Sequence, residues 1–169
     1  MTVSTHVSVE ILNFLKQLVL TLKPELIAQP LAGVPETMKF AEGLRENSFG
    51  KVICCDSGDQ DFAAAKQKLA VAGLGAFVEF RNQSAAELRF DRNIDMFYLV
   101  GYLPDHAELL TQFLPQMNPN GLIVVRDPSS KALFSTAAAS QMEHQGLISA
   151  VTFPAPNGLI LAQKRAGRK

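Results

Sequence analysis

The chain has 169 residues, 47% of them hydrophobic and 19% charged, with 16 basic against 16 acidic side chains. That length suits one globular domain with a full core, spanning residues 1–169. A net charge of zero gives no global field for nucleic acid or an anionic membrane surface, so neither partner is expected. No apolar run is long enough to span a bilayer, and the early apolar segment carries Glu10 and Lys16, unlike a signal peptide; the expected location is the cytoplasm.

Ser8–Leu22 reads as an amphipathic helix, with Ile11, Leu12, Leu15, Leu18, Val19 and Leu22 on one stripe and Pro24 ending it. That stripe either caps a sheet or meets a second copy of the chain, which makes a homodimer an expectation. Glu25–Gln29 is a short strand, Pro30 to Pro35 a loop, and Glu36–Arg45 a helix with Met38, Ala41 and Leu44 on one face. Asn47–Gly50 is a turn and Lys51–Cys55 a strand. Asp59 is placed to cap the next helix, which buries Phe62, Ala65, Leu69 and Ala72 and stops at Gly73.

Ala76–Arg81 alternates as a strand, and Ile94–Val100 is apolar enough to be covered on both faces. A helix starts near Pro104 or Asp105, with Leu109, Leu110, Phe113, Leu114 and Met117 inward. Asn118–Gly121 reads as a turn into the strand Leu122–Val125. Ser129 or Ser130 caps a helix running to about Gln145. Leu147–Phe153 and Gly158–Gln163 flank Pro154–Asn157 in a hairpin-like connection. Strands and helices alternate and the chain closes on two successive strands. The expected fold is therefore α/β: a doubly wound, mostly parallel seven-stranded sheet with an antiparallel C-terminal strand.

The stretch from Lys51 to Asp127 carries the parts of a nucleotide-binding domain in order. An apolar strand ends on Asp56, where a carboxylate is well placed to bind the two hydroxyls of a ribose, although such residues also serve as turn formers. Cys54 and Cys55 are adjacent in that strand; neighbouring cysteines rarely meet disulfide geometry, so both read as reduced, packed thiols. His106 stands at a helix start, where it is either an exposed histidine or a general base for a hydroxyl. Asp127 heads an Asp-Pro-Ser-Ser segment that reads first as a helix start. Tyr98 belongs to the core, and Tyr102 is a candidate pocket residue. The basic run from Lys164 to Lys169 reads as a solvated tail, or as an anion-binding one. No P-loop, GxGxxG fingerprint, Ser-His-Asp signature, paired-carboxylate site or zinc-ligand spacing occurs.

Several segments together resemble the class I S-adenosylmethionine-dependent methyltransferases. They are GKVICCDSGDQDFAAAKQKLAVAGL with the ribose acid, VEFRNQSAAEL with the third strand and adenine-side loop, and DRNIDMFYLVGY with the fourth strand. QFLPQMNPNGLIVVRD and ISAVTFPAPNGLILAQKR complete the series. The nearest subgroup is that of the small catechol-type and caffeoyl-CoA-type O-methyltransferases, and the likeness runs from about Ser8 to Arg165. It implies S-adenosylmethionine as cofactor and a small-molecule acceptor. Asp56 would lie on ribose, Ser84 near adenine and Gly33 in the cofactor turn, with His106 or Asp127 beside the acceptor.

The sequence departs from that pattern in two places. Ala28 or Gln29 stands where the acid of the first motif belongs, and Pro30 and Ala32 stand where glycines are expected. Pro30 and Pro35 remove two backbone donors from a turn that would otherwise supply them. Val100, Asp127 and Pro128 occupy the metal-ligand positions of the metal-dependent subgroup, and one carboxylate holds an oxygen-seeking divalent ion poorly, so no metal is expected. The same departures also fit an inactive protein of this fold that serves as a binding or oligomeric scaffold.

Overall fold

The computed structural model describes residues 7–30, 33–55, 62–101, 103–127, 132–153 and 159–166, with backbone only at 103–106, 132–135 and 152–153. In chain order the elements are α1 (Val9–Leu22), β1 (Leu26–Gln29), α2 (Val34–Asn47), β2 (Lys51–Cys55), α3 (Ala63–Val71) and β3 (Val78–Arg81). They continue with β4 (Ile94–Val100), α4 (Leu103–Phe113), β5 (Met117–Arg126), α5 (Ala132–His144), β6 (Ile148–Phe153) and β7 (Leu159–Lys164). The sheet is seven-stranded, mixed and mostly parallel, with order β3-β2-β1-β4-β5-β7-β6. β7 runs antiparallel to both of its neighbours, as the closing pair of strands implied. Contacts group the chain into two compact units, residues 6–89 and residues 1–5 with 90–169.

In the unit of residues 6–89, β1 and β2 pair in parallel with Gln29 beside Cys54, and β2 pairs in parallel with β3. Ser8 caps α1 by accepting the Ile11 N–H at 3.4 Å. The stripe of α1 buries Ile11, Leu15 and Val19. It is spent on α2: a Cβ on Gly43 would stand 2.8 Å from Val19 Cγ1, and Asn47 Nδ2 donates to the Val19 carbonyl at 3.0 Å. Of the remaining stripe residues, Leu12 and Leu18 are half-buried and Leu22 is exposed.

α2 starts two residues before Glu36, because Pro35 falls in the first turn, where a missing N–H costs nothing. Its other side meets α3 and β3 through Ala41, Leu69 and Leu74, with Met38, Ala72 and Phe80 around them. Ala72 lies beyond the end of α3 and is half-buried rather than inside the helix. Gly75–Phe77 forms a short 3₁₀ turn, so β3 begins at Val78 and not at Ala76. Asp59 lies outside the described residues.

In the unit of residues 90–169, β4 is buried along nearly its whole length, Tyr98 included, as its unbroken apolar run requires. Phe97 and Phe113 pack with ring centroids 5.3 Å apart. Leu110, Phe113, Leu114 and Met117 are buried, whereas Leu109 is half-buried. Asn118–Gly121 is not a turn that precedes a strand. It lies within β5 as an irregularity: Ile94 pairs with Met117 and Met96 with Leu122, and Asn120 takes φ +63°. Asn118 Nδ2 donates to Asp95 Oδ1 at 2.6 Å and Lys164 Nζ to the Met117 carbonyl at 2.7 Å, so the bulge is held on both sides. Ser129, Ser130 and the Pro154–Asn157 connection lie outside the described residues.

Candidate functional site

Gly33, Ser84 and Asp127, the described residues among those singled out by sequence, follow the carboxyl ends of β1, β3 and β5, where open α/β sheets bind ligands. In the unit of residues 6–89 they form two clusters, at the end of β1 and after β3.

The first cluster centres on Gly33, the N-cap of α2, with φ −111° and ψ 115°. Its missing side chain makes room for Glu36: a Cβ there would be 2.5 Å from Glu36 Oε2 and 3.2 Å from Oε1. Glu36 is only 2% exposed, a buried carboxylate folded back over the first turn of its own helix, where backbone N–H groups and the helix dipole favour negative charge. Gln29, which stands at the expected acid position, is fully buried. Its Oε1 accepts the Thr37 hydroxyl at 2.8 Å and the Cys54 thiol at 3.5 Å. The Gly33 carbonyl, 2.9 Å from the same hydroxyl, already accepts the Thr37 backbone N–H. A hydroxyl has one proton, so the Gln29 oxygen is its better destination.

Burial pushes the Cys54 thiol up to about 12, against a lowering by Thr37. That thiol is a packed donor and not a nucleophile. Cys55 Sγ donates to the Pro30 carbonyl at 3.3 Å, and both cysteines are buried thiols outside any disulfide, as read from their adjacency. Ala28, the other candidate for the acid position, is buried too. Asp56 lies outside the described residues.

The second cluster is Ser84 with Glu87. Ser84 Oγ donates to Glu87 Oε2 at 2.8 Å and the Ser84 backbone N–H donates to the same oxygen at 3.1 Å. These two bonds hold the Glu87 carboxyl below its usual range. The hydroxyl proton of Ser84 is thereby committed; its oxygen accepts the Glu87 backbone N–H in a capping box, which leaves one lone pair to accept from a ligand. Glu87 is an acid beside Ser84 that sequence reasoning passed over; the Ser-x-x-Glu spacing of a capping box was its signal. Glu36 and Thr37 were missed as well, since neither belongs to a recognisable motif.

In the unit of residues 90–169, the ends of β4 and β5 are tied by the Gly101 N–H, which donates to the Arg126 carbonyl at 2.9 Å. Val100 sits in register with Arg126. Asp127 follows and is 1% exposed. His106 lies in the first turn of α4, with its side chain outside the described residues, as are Tyr102 and Pro128. Among the described residues no group of three or more His, Cys, Asp or Glu side chains is placed to hold a metal ion. Among them, too, no helix is long and apolar enough to cross a membrane.

The sequence matches no protein-family model and no curated protein. Solved structures do resemble it. An O-methyltransferase from Bacillus cereus in complex with SAH superposes with a TM-score of 0.80 at 17% identity, over 96% of this chain and 84% of that one. TomG, an O-methyltransferase from Streptomyces achromogenes in complex with SAM, gives a TM-score of 0.77 at 17% identity, over 95% and 82%. A methyltransferase from Geobacter sulfurreducens gives 0.76 at 19% identity, over 96% and 81%. At such identities the likeness is one of fold: this chain has the fold of the S-adenosylmethionine-dependent O-methyltransferases.

Proposed function

We propose that this chain is a single methyltransferase-like domain that binds S-adenosylmethionine and transfers its methyl group to a hydroxyl of a small molecule. The observation that carries this reading is the strand order β3-β2-β1-β4-β5-β7-β6, on which the O-methyltransferases above superpose over nearly all of this chain.

The residues present suit the cofactor in part. Asp56 would accept both ribose hydroxyls. Ser84 would offer a lone pair to the adenine amino group, its proton being directed to Glu87. Bound S-adenosylmethionine supplies an electrophilic methyl on a sulfonium, so the chain has mainly to align donor and acceptor. His106 and Asp127 are the candidates to take the acceptor proton; burial of Asp127 favours His106 for direct contact.

The test is calorimetric titration of the ligand-stripped protein with S-adenosylmethionine and S-adenosylhomocysteine. Micromolar binding lost in Asp56→Ala supports the assignment. Binding that survives that substitution refutes the ribose role.

One observation favours the second reading, an inactive scaffold of the same fold. Gln29 is turned into the core by Thr37 and Cys54, and the first turn of α2 is filled by its own Glu36. Absence of any binding at millimolar cofactor, with a stable homodimer in solution, would establish that reading instead.

A further inference from the structure

Lys164 and Arg165 line a cavity unrelated to the cofactor reading. It lies at the opposite ends of β5 and β7 from Asp127, between the start of β6 and the end of α5, and holds about 630 Å³. Asn120, His144, Ser149, Gln163, Lys164 and Arg165 contribute to its lining, and no Asp or Glu does among the described residues.

The floor is built rather than incidental. Gln163 Nε2 donates to the Asn120 carbonyl at 3.0 Å, and Lys164 Nζ donates to the Met117 carbonyl at 2.7 Å, so the β5 bulge orients both side chains. An ammonium has three donors, so this bond leaves Lys164 with capacity to spare. The neighbouring carboxylates are occupied elsewhere: Glu143 Oε1 accepts the Ala150 N–H at 3.1 Å, and Asp95 accepts from Asn118. Three of the carbonyls at the end of α5 are also bonded, with Gln141, Met142 and Glu143 accepting from Gln145, Leu147 and Gly146.

We propose that this cavity binds the phosphoryl group of a small phosphorylated molecule. Donor-rich, cationic walls without a carboxylate select a multi-oxygen anion over a cation or an apolar ligand. The volume is that of a small-molecule site. Among the described residues the lining holds no Phe, Tyr or Trp on which bases could stack, and the chain carries no net charge, so an extended nucleic acid is the poorer fit.

The experiment titrates inorganic tripolyphosphate into the full chain by calorimetry, beside sulfate and a short single-stranded oligonucleotide. The expected result is saturable tripolyphosphate binding with Kd of about 0.1 mM or tighter. It should weaken with added salt and fall about tenfold or more in Arg165→Glu. Arg165 is exposed and its backbone N–H, which bonds the Leu147 carbonyl, is untouched by the substitution. S-adenosylhomocysteine titrated into the same variant keeps the two sites apart, because its binding, if present, is expected to be unchanged. Absent binding, equal binding of sulfate, full retention in Arg165→Glu, or tighter binding of the oligonucleotide would each overturn the proposal.

Discussion

Replacing Thr37 with Val tests whether the end of β1 is committed to the core. The substitution preserves the branched shape and removes one hydroxyl. Gln29 Oε1 then keeps only the Cys54 thiol, a weak donor at 3.5 Å, in a position with no access to water. Leaving a buried acceptor short of its partner costs about 1–3 kcal/mol, a factor of about 5 to 150 in the folded-to-unfolded ratio. With a urea dependence of about 2 kcal/mol per molar, the midpoint should fall by about 0.5–1.5 M. Gln29→Leu combined with Thr37→Val removes donor and acceptor together, so the pair should cost less than the two single changes summed, by about 1 kcal/mol. A midpoint unmoved in Thr37→Val, or strict additivity in the cycle, would refute the claim that these side chains form a core knot.

Three further outcomes follow from the same geometry. Gly50 has φ +94°, and a Cβ there would stand 2.5 Å from the Pro24 carbonyl oxygen and 2.7 Å from Leu44 Cδ2. Gly50→Ala should therefore destabilise by about 2–4 kcal/mol, seen as a lowered Tm by circular dichroism; an unchanged Tm contradicts the close approach. Gly43→Ala should cost about 1–3 kcal/mol through its clash with Val19, and Val19→Ala in the same chain should recover part of the loss; no recovery would mean that α1 does not pack there. Cys54 has its folded value raised from 9.0 to about 12, so the folded state holds the proton more tightly than the unfolded chain. Its contribution to stability is full below pH 9 and declines as pH rises from 9 toward 12. Urea midpoints across that interval should fall more steeply for the natural chain than for Cys54→Ala; parallel slopes would refute the assignment.

Much of the architecture was written in local pattern. The stripe of α1, the unbroken apolar run of β4, and the two closing strands each state a period or an order that needs no partner to be read, and together they imply the parallel sheet with one reversed strand. The turn residues 118–121 were legible as irregular backbone, but not as part of β5. Whether such a segment ends a strand or bulges within it depends on what pairs beside it, here Ile94 and Met96 across the sheet. Likewise the sequence showed an apolar stripe on α1, and only the structure showed that part of it packs on Gly43 and Asn47 of α2.

The candidate site divides in the same way. Strand ends carrying Asp56, Ser84 and Asp127 follow from chain order alone, because a strand's carboxyl end is a position in sequence. The commitment of Gln29 to Thr37 and Cys54, the folding of Glu36 over Gly33, and the pairing of Ser84 with Glu87 are facts of direction. Hydrogen bonds depend on where side chains point after helices have docked on strands. Residue identity determined which groups were available to bind or to transfer protons; only the tertiary structure decided which of them the fold had already spent on itself.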